Sequence, residues 1–400
     1  MSRTRTRRLR LAGGLTAVVT AAVLSSATLP AHAVPEGPVL GAGRPGSVGG
    51  SYLVTLKEGI KGPSAAGKGI ITRYGAKISH TYDSVLNGYA VRASAAQARR
   101  LAADSRVDSV VQDSRVRLER TQKNPPSWGL DRVDQAALPL DKAYTWPQSA
   151  GAGVTVYVID TGVRISHRDF GGRASYGWNF VDGDRNADDG NGHGTHVAGI
   201  IAGTKYGVAK RARIVSVRVL DNSGAGTTTQ VIAGIDWVTA HARGPAVANL
   251  SLGGYHSVQL DTAVRNSIRS GVTYTVAAGN DDRPAAGYSP ADVPQALTVG
   301  ATDRTDTRAA FSDFGSAVDL FAPGVAITSD WNASDTAKAT CSGTSMAAPH
   351  VAGAAALYLA GHPKAGPAQV AKALIAGAAS GKVSDAGPGS PDRLLRVPES

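Results

Sequence analysis

The chain has 400 residues, which allows roughly two to four domains, and its hydrophobic content of 42 % excludes a wholly disordered protein. A net charge of +11 suits a nucleic-acid binder, but residues 1–33 carry five Arg and no acidic residue, residues 34–121 carry 13 Lys and Arg against 7 acidic residues, and residues 122–400 carry 24 of each. The large C-terminal part is neutral overall, and we therefore expect no nucleic-acid partner.

The N-terminal segment has the pattern of a secretory signal peptide. The basic stretch 1–10 precedes an apolar run from Leu11 to about Leu24, and Ala31-His32-Ala33 then resembles a cleavage site. A transmembrane anchor is the alternative, but it needs about 20 apolar residues. We predict a signal peptide over residues 1–33 and a secreted, extracellular product that is not bound to a membrane after cleavage.

Residues 34–120 are predicted to form a separate small domain. A Gly- and Pro-rich linker over 34–50 precedes an alternating strand pattern that begins at Ser51, a second strand over 86–91, a helix capped by Ser94 and a third strand from Val107. This order is typical of a small α+β domain over about 51–120. The turn-rich stretch that follows, 121–126, is predicted to be an exposed connection that proteases cut easily.

Residues 121–400 have a different pattern, in which short apolar strands alternate with helical stretches. Strands buried on both faces are typical of an open parallel sheet covered by helices, and such a sheet binds ligands at the carboxyl ends of its strands. The predicted strands are Val154–Ile159, Ile214–Val219, Ala246–Leu250, Val272–Val276 and Leu297–Val299, with a helix over Thr228–Ala240.

Three polar motifs fall at that edge of the predicted sheet. Asp160 directly follows the first apolar strand, His193 and His196 stand in Asn-Gly-His-Gly-Thr-His at the start of a small-residue helix, and Ser345 stands in Ser-Gly-Thr-Ser-Met-Ala at the start of an Ala-rich helix. Each could be a turn or capping residue by itself. From residue 121 onward the only Glu is Glu399, which nearly excludes chemistry that needs a Glu acid or base.

These three motifs, in the order Asp, His, Ser, resemble the subtilase family of serine peptidases, and within it the proteinase K-like branch. The resemblance covers residues 122–400, and residues 51–120 resemble the family's inhibitor-type propeptide. It implies an α/β, subtilisin-like three-layer fold with a parallel sheet between helices, preceded by a ferredoxin-like propeptide domain. It also implies a self-processing zymogen of a serine endopeptidase, with its own propeptide as inhibitor and with protein or peptide substrates, acting as a monomer.

The resemblance also assigns catalytic roles. Ser345 is the expected nucleophile, His193 the base that takes its proton, and Asp160 the carboxylate that orients the imidazole. Asn280, in Ala-Ala-Gly-Asn, is the expected side-chain donor to the oxyanion. His196 is expected to be a structural neighbour.

Substrate-binding segments follow from the same resemblance. They contain no acidic or basic residue, so we expect broad specificity with large apolar or aromatic side chains before the cut bond. The expected residues are Gly224, Ala225, Gly226, Ser251, Leu252, Gly253, Ala277, Ala278 and Gly279.

Structural calcium is the expected stabiliser, because the single cysteine, Cys341, cannot form an intramolecular disulfide. Clustered carboxylate and amide oxygens suit Ca²⁺, although the first cluster could also be a solvated face. No catalytic cofactor is expected. By family position, the first site comprises Asp131, Asp134, Gln135 and Asp141, and the second comprises Asp319 with the carbonyls of Pro294 and Ala296.

Two other functions remain open from the sequence. A sedolisin-like acid peptidase shares the fold and a similar serine motif, but it needs a Glu where His193 stands. A catalytically inactive peptide-binding or inhibitor protein would not need the three polar motifs together. Labelling of Ser345 by an acylating probe discriminates this second alternative from a peptidase.

Overall fold

The computed structural model describes residues 35–44, 46–114 and 119–397, and the chain divides into two compact units, Met1–Arg115 and Val116–Ser400. The predicted signal peptide lies outside the described residues. Within the described ranges, no helix is both long enough and apolar enough to cross a membrane.

The first unit is an antiparallel sheet with two helices. Its strands are ordered β2-β3-β1-β4, and the β-α-β-β-α-β succession is the ferredoxin-like arrangement that was predicted. Ser94 caps the second helix through a capping box with Gln97. The elements are β1 (Ser47–Leu56), α1 (Ala65–Arg73), β2 (Lys77–Tyr82), β3 (Gly88–Arg92), α2 (Ala95–Ala102) and β4 (Val107–Ser114).

The helix α1 and the strand β2 are absent from the sequence prediction. Two glycines, Gly67 and Gly69, lower the helix propensity of α1. At Gly67 a Cβ atom would lie 2.6 Å both from the hydroxyl of Tyr89 in β3 and from the backbone carbonyl oxygen of Lys61, so the packing here requires glycine. These contacts explain a glycine that helix propensity disfavours.

The second unit contains all the predicted site residues. Its elements are β5 (Glu119–Lys123), α3 (Trp128–Val133), β6 (Ala143–Pro147), β7 (Thr155–Asp160), β8 (Ala174–Asn179), α4 (His193–Ala202), β9 (Arg213–Arg218), α5 (Thr228–His241), β10 (Ala246–Leu250), β11 (Gly254–Tyr255), α6 (Val258–Arg269), β12 (Thr273–Ala277), β13 (Tyr288–Ser289), β14 (Leu297–Thr302), β15 (Leu320–Pro323), β16 (Ile327–Asp330), β17 (Lys338–Cys341), α7 (Thr344–Gly361), α8 (Pro367–Gly377), β18 (Ala379–Ser380) and β19 (Arg393–Leu394).

The start of this unit differs from the sequence prediction. Residues 121–123, predicted as part of a turn-rich connection, form the second half of β5, which pairs antiparallel with β6. The hydroxyls of Thr121 and Thr145 lie 3.0 Å apart across this pair. A strand whose partner is some twenty residues away carries no local turn or periodicity signal. The position of the domain boundary after residue 120 stays a prediction.

The main sheet of the unit has nine strands in the order β18-β19-β15-β14-β12-β10-β7-β9-β8. Every neighbouring pair is parallel except β18 and β19. Along β7, Val156 and Val158 pack in one core with α4 and α7, whereas Tyr157 and Ile159 pack in another with α5 and α6. Successive residues of a strand point to opposite faces, so the predicted three-layer α/β fold is confirmed.

Candidate active site

Asp160 is the last residue of β7 and is fully buried. Its Oδ1 atom accepts a hydrogen bond from the backbone N–H of Thr161 at 2.7 Å and lies 2.8 Å from Nδ1 of His193. The other oxygen, Oδ2, is buried without a hydrogen-bond partner. The carboxylate therefore fixes the imidazole by one short contact and keeps unused capacity to stabilise a positive charge there.

His193 is the first residue of α4, and the turn before it is held tightly. Gly192 has φ +117°, and a Cβ atom on it would lie 2.3 Å from the indole of Trp331. The buried carboxylate of Asp189 accepts hydrogen bonds from the N–H groups of Gly192 and Thr195. Burial lowers the pKa of His193, whereas the Asp160 carboxylate raises it, and the net direction is upward.

His196 occupies the same helix as His193 but has a different environment. It is fully buried, and its Nε2 atom lies 3.1 Å from the carbonyl oxygen of Ile327. Burial lowers the pKa of His196 to about 4, so its ring is neutral near pH 7. These contacts fit the structural role that was expected of it.

Ser345 is the second residue of α7, where backbone N–H groups lack partners within the helix. Its Oγ atom donates to the carbonyl of Ser251 at 3.1 Å, and the hydroxyl of Ser251 donates to the carbonyl of Ser345 at 2.8 Å. The hydrogen bond described for the Ser345 hydroxyl is thus to Ser251 and not to His193. Contacts between catalytic groups are often longer in unliganded proteins than in substrate complexes.

A buried polar chain beneath Ser345 escaped the sequence prediction. Thr275 in β12 donates to Oδ1 of Asn249 in β10, and Nδ2 of Asn249 donates to the hydroxyl of Ser251. Both Thr275 and Asn249 are fully buried. Asn249 interrupts the apolar strand Ala246–Leu250, which was the available signal that a buried amide there needs a specific partner.

Asn280 follows β12, and its amide is oriented by Thr344. Its Oδ1 atom accepts from the N–H of Thr344 at 2.8 Å and from the Thr344 hydroxyl at 3.0 Å. The Thr344 hydroxyl in turn accepts from the N–H of Gly279. The oxygen of the amide is therefore used by the protein, and the Nδ2 hydrogens are left for another acceptor.

A cleft of about 540 Å³ lies beside Ser345 and Asn280. Of the predicted wall residues, the cleft contains Leu252, Gly253, Ala277, Ala278 and Gly279, whereas Gly224, Ala225 and Gly226 lie exposed in the loop after β9 and Ser251 contacts Ser345. The wall residues that the sequence analysis missed are Gly254, Tyr255, Asp281, Arg283, Tyr288, Ser289, Ala291, Asp313 and Thr344.

Charged groups also line this cleft, in segments outside the predicted walls. The Oδ1 atom of Asp313 accepts from the N–H groups of Asp281 and Arg283 at 2.9 Å each, and its Oδ2 atom is buried without a partner. Burial raises the pKa of Asp313. The predicted wall segments contain no charged residue, but Asp281, Arg283 and Asp313 from other segments also line the cleft.

The first predicted calcium cluster lies between α3 and β6. The N–H of Lys142 donates to both oxygens of Asp131, and the N–H of Thr145 donates to Oδ2 of Asp134, whose Oδ1 is buried without a partner. Burial, with Asp131 and Asp141 nearby, raises the pKa of Asp134 to about 7. A half-buried carboxylate near two others, with one buried and unpartnered oxygen, fits a hard cation.

Gln135 and the second predicted cluster have different contacts. The Gln135 amide donates to the carbonyls of Ala137 and Pro139 and accepts from the N–H of Asp141, so it shapes the same loop. At the other cluster, Oδ2 of Asp319 accepts from the N–H of Thr298, and burial raises the pKa of Asp319 to about 6. No side-chain contact described for Asp319 involves Pro294 or Ala296, whose backbone carbonyls were the expected ligands.

Comparison with known proteins identifies the family. Residues 151–395 match the subtilase family, and residues 51–119 match the peptidase inhibitor I9 family. The chain is 47 % identical over 408 residues to an extracellular serine proteinase of Thermus sp. (strain Rt41A), covering 96 % of this chain and 99 % of that one. It is 49 % identical over 327 residues to alkaline serine exoprotease A of Vibrio alginolyticus, covering 80 % of this chain and 60 % of that one.

A solved structure agrees with these matches. The crystal structure of a cold adapted subtilisin-like serine proteinase aligns with a TM-score of 0.67 and 53 % identity, covering 68 % of this chain and 98 % of that one. The chain therefore belongs to the subtilase family and is a serine proteinase with an inhibitor I9 domain before its peptidase domain. The predicted membership of the subtilase family and the predicted serine peptidase class are confirmed.

Proposed function

We propose that the protein is a secreted endopeptidase that hydrolyses peptide bonds through Asp160, His193 and Ser345. The observation that carries this proposal is the 2.8 Å contact between Oδ1 of the buried Asp160 and Nδ1 of His193. This contact fixes Nδ1 as the protonated nitrogen and leaves Nε2 to act as the base. A serine hydroxyl needs such a base because it is a weak nucleophile near neutral pH.

In the proposed reaction, the Ser345 hydroxyl exchanges its hydrogen bond to Ser251 for one to Nε2 of His193 and attacks the substrate carbonyl. His193 takes the proton and becomes an imidazolium beside Asp160. The uncompensated Oδ2 of Asp160 favours this charge, because a buried carboxylate is stabilised by a neighbouring cation. His193 then donates the proton to the leaving amine, and water cleaves the acyl-enzyme by the reverse sequence.

The negative oxygen of the tetrahedral intermediate would be bound by two donors. One is Nδ2 of Asn280, oriented by the two hydrogen bonds from Thr344 to its oxygen. The other is the N–H of Ser345 at the N-terminus of α7, where the helix dipole also favours negative charge. Donors that are already oriented stabilise the developing charge without reorganising during the reaction.

The glycine-lined cleft beside Ser345 would accept the side chain before the cut bond. Its walls at Leu252, Ala277 and Ala278, together with Tyr255 and Tyr288, favour large apolar or aromatic groups and broad tolerance. Gly224 to Gly226 would pair with the substrate backbone as an added strand. A cleavage profile on a peptide library tests this preference.

The inhibitor I9 match supports a zymogen in which residues 34–120 form a propeptide that inhibits the enzyme and is removed by it. We expect the full-length Ser345→Ala chain, expressed in a host lacking other proteases, to keep residues 34–120. Unmodified chain made in parallel should lose them, as mass spectrometry would show. Fully processed Ser345→Ala would contradict self-cleavage.

An acylating serine-directed probe tests the nucleophile directly. The processed protein should be labelled at Ser345, and neither Ser345→Ala nor His193→Ala should be labelled at a comparable rate. Ser342→Ala is the matched control, because this neighbouring serine accepts a hydrogen bond from the N–H of Ala326 and has no proposed catalytic role. A protein that binds peptides but never labels would instead be the inactive peptide-binding or inhibitor protein.

Structural calcium completes the proposal. Asp131, Asp134, Gln135 and Asp141 would hold one ion and Asp319, with the carbonyls of Pro294 and Ala296, a second. The unused oxygen of Asp134 and the two carboxylates that raise its pKa support the first assignment. Bound calcium would add native-state stability and would take no part in the reaction.

We propose that the protein acts as a monomer and needs no catalytic cofactor, no nucleic acid and, after export, no membrane. The extracellular relative from Thermus supports secretion.

A further inference from the structure

A further group of side chains that could bind a metal includes two residues adjacent in sequence to residues that line the cleft. Within residues 35–44, 46–114 and 119–397, one group of His, Cys, Asp or Glu side chains has at least three ligand atoms that all lie within 4.8 Å of one another. It consists of His256, Asp261 and Asp292. His256 directly follows β11, Asp261 lies in the first turn of α6, and Asp292 follows β13. None of the three belongs to the proposed catalytic or calcium-binding residues.

The contacts within this group place one nitrogen against two carboxylates. Nδ1 of His256 lies 2.8 Å from Oδ2 of Asp292 and 3.6 Å from Oδ2 of Asp261. The side chains of Asp261 and Asp292 are 3 % and 14 % exposed, whereas that of His256 is 54 % exposed. The group is therefore closed towards the protein by its carboxylates and open to solvent at the imidazole.

An independent observation supports cation binding by this group. The Oδ1 atoms of Asp261 and Asp292 are both buried without a hydrogen-bond partner. A buried carboxylate oxygen without a donor is costly, and the single imidazole supplies at most one positive charge for two carboxylates. A divalent cation would compensate both carboxylates at once.

We propose that His256, Asp261 and Asp292 form a binding site for Zn²⁺ or a similar divalent transition-metal ion. One imidazole nitrogen and two carboxylate oxygens are ligands that Zn²⁺ accepts in a four-coordinate site, with water in the fourth position. Calcium prefers oxygen ligands throughout, so the histidine separates this site from the proposed calcium sites. The exposed His256 edge gives the ion a path from solvent.

The site would cross-link the strands that border the cleft. The strands β11 and β13 pair through Tyr255 and Tyr288, which both line the cleft, and the N–H of Ser257 donates to the hydroxyl of Ser289 at 2.8 Å. These contacts already hold the three ligand-bearing segments together, so little ordering is needed when the ion binds. A metal there would fix the cleft wall without touching the reacting atoms.

Calorimetric titration with Zn²⁺ tests the proposal. We would use the full-length chain carrying Ser345→Ala, to prevent self-digestion, near neutral pH and in millimolar calcium, so that oxygen-only sites are filled. One equivalent of Zn²⁺ is expected to bind and to raise the melting temperature. Both effects should disappear in His256→Ala and in Asp292→Asn.

Two further variants separate a metal site from an ion pair. His256→Lys keeps a positive charge beside the carboxylates but removes the metal-binding nitrogen, so it should fold and not bind Zn²⁺. His362→Ala removes another exposed histidine and should bind as the parent does. The proposal is overturned if the parent binds no zinc, or if His256→Ala and His256→Lys retain the one-equivalent step. Because Ser345 is absent from all the variants, neither result depends on the proposed catalytic role.

Discussion

Asp160 and Asp134 are carboxylates of the same unit with opposite surroundings. Asp160 lies 2.8 Å from an imidazole nitrogen and accepts from a backbone N–H, so its charged neighbourhood consists of hydrogen-bond donors of the protein. Asp134 has Asp131 and Asp141 as charged neighbours, and burial beside them raises its pKa to about 7. Both keep one buried oxygen without a partner.

The different surroundings of Asp160 and Asp134 predict different roles, one in catalysis and one in stability. In the proposed reaction His193 would take a proton beside Asp160, and this positive charge would relieve the cost of the buried Asp160 oxygen. At Asp134 the charged neighbours that raise its pKa are the carboxylates of Asp131 and Asp141, and we expect a bound cation to compensate them. We therefore expect changes at the first carboxylate to affect turnover and changes at the second cluster to affect unfolding.

The largest effect is expected from Asp160→Asn. This change removes the charge that stabilises the imidazolium and favours the wrong tautomer of His193, so kcat should fall by about 10⁴-fold while the fold persists. Steady-state kinetics on a peptide substrate, with melting temperature as the check on folding, measure this. Asp236→Asn, at an exposed position of α5, is the matched control. A variant that keeps more than a tenth of the activity would remove Asp160 from the site.

Asn280→Ala should have the next largest effect. Loss of one oxyanion donor is expected to lower kcat by about 10²–10³-fold, with little change in KM, because the contact forms in the transition state. Asn266→Ala, on the exposed face of α6, serves as the control. A rise in KM of about 10²–10³-fold with unchanged kcat would show that Asn280 contributes to substrate binding and makes no contact specific to the transition state.

Calcium removal should act on stability and leave the chemistry unchanged. A ligand that binds only the native state stabilises it by about 2.7 kcal/mol at a hundredfold excess over Kd. The melting temperature of probe-inactivated enzyme should therefore be higher in millimolar calcium than in chelator. The difference should shrink in Asp131→Ala and in Asp319→Ala.

These two aspartates can be tested separately from general stability. Each variant also loses the backbone hydrogen bond that its carboxylate accepts, from Lys142 or from Thr298, and should melt lower than the parent even in chelator. The test is therefore each variant's own melting temperature in calcium minus its melting temperature in chelator. If the calcium-dependent difference stays unchanged in both variants, neither assignment survives.

The smallest effect concerns the acid limb of the activity profile. Only neutral His193 can act as base, so kcat/KM should rise as pH rises through its pKa. The net upward direction of that pKa places the midpoint above the ordinary value of about 6.5. Below the midpoint, activity should fall about tenfold for each pH unit. A midpoint well below 6 would show that burial outweighs Asp160 in the working enzyme.

Much of the architecture was predictable from local patterns. The fully apolar strands β7 and β10 indicated a sheet covered on both faces, and Ser94 marked the start of α2. The strand β5 was not predictable, because its pairing with β6 depends on residues distant in sequence. Similarly, Gly67 in α1 is explained by the Tyr89 hydroxyl and the Lys61 carbonyl packed against it.

The sequence by itself determined which chemistry was available, through residue types placed where strands end and helices begin. That placement singled out Asp160, His193 and Ser345, the resemblance to the subtilase family assigned their expected roles, and the near-absence of Glu narrowed the alternatives. Only the tertiary structure decided how these groups are used. The orientation of Asn280 by Thr344, the buried chain from Thr275 to Ser251, and the approach of Asp261 and Asp292 to His256 all join separate segments. Hydrogen bonds and charge interactions act over a few ångströms, and that distance is set by packing and not by spacing along the chain.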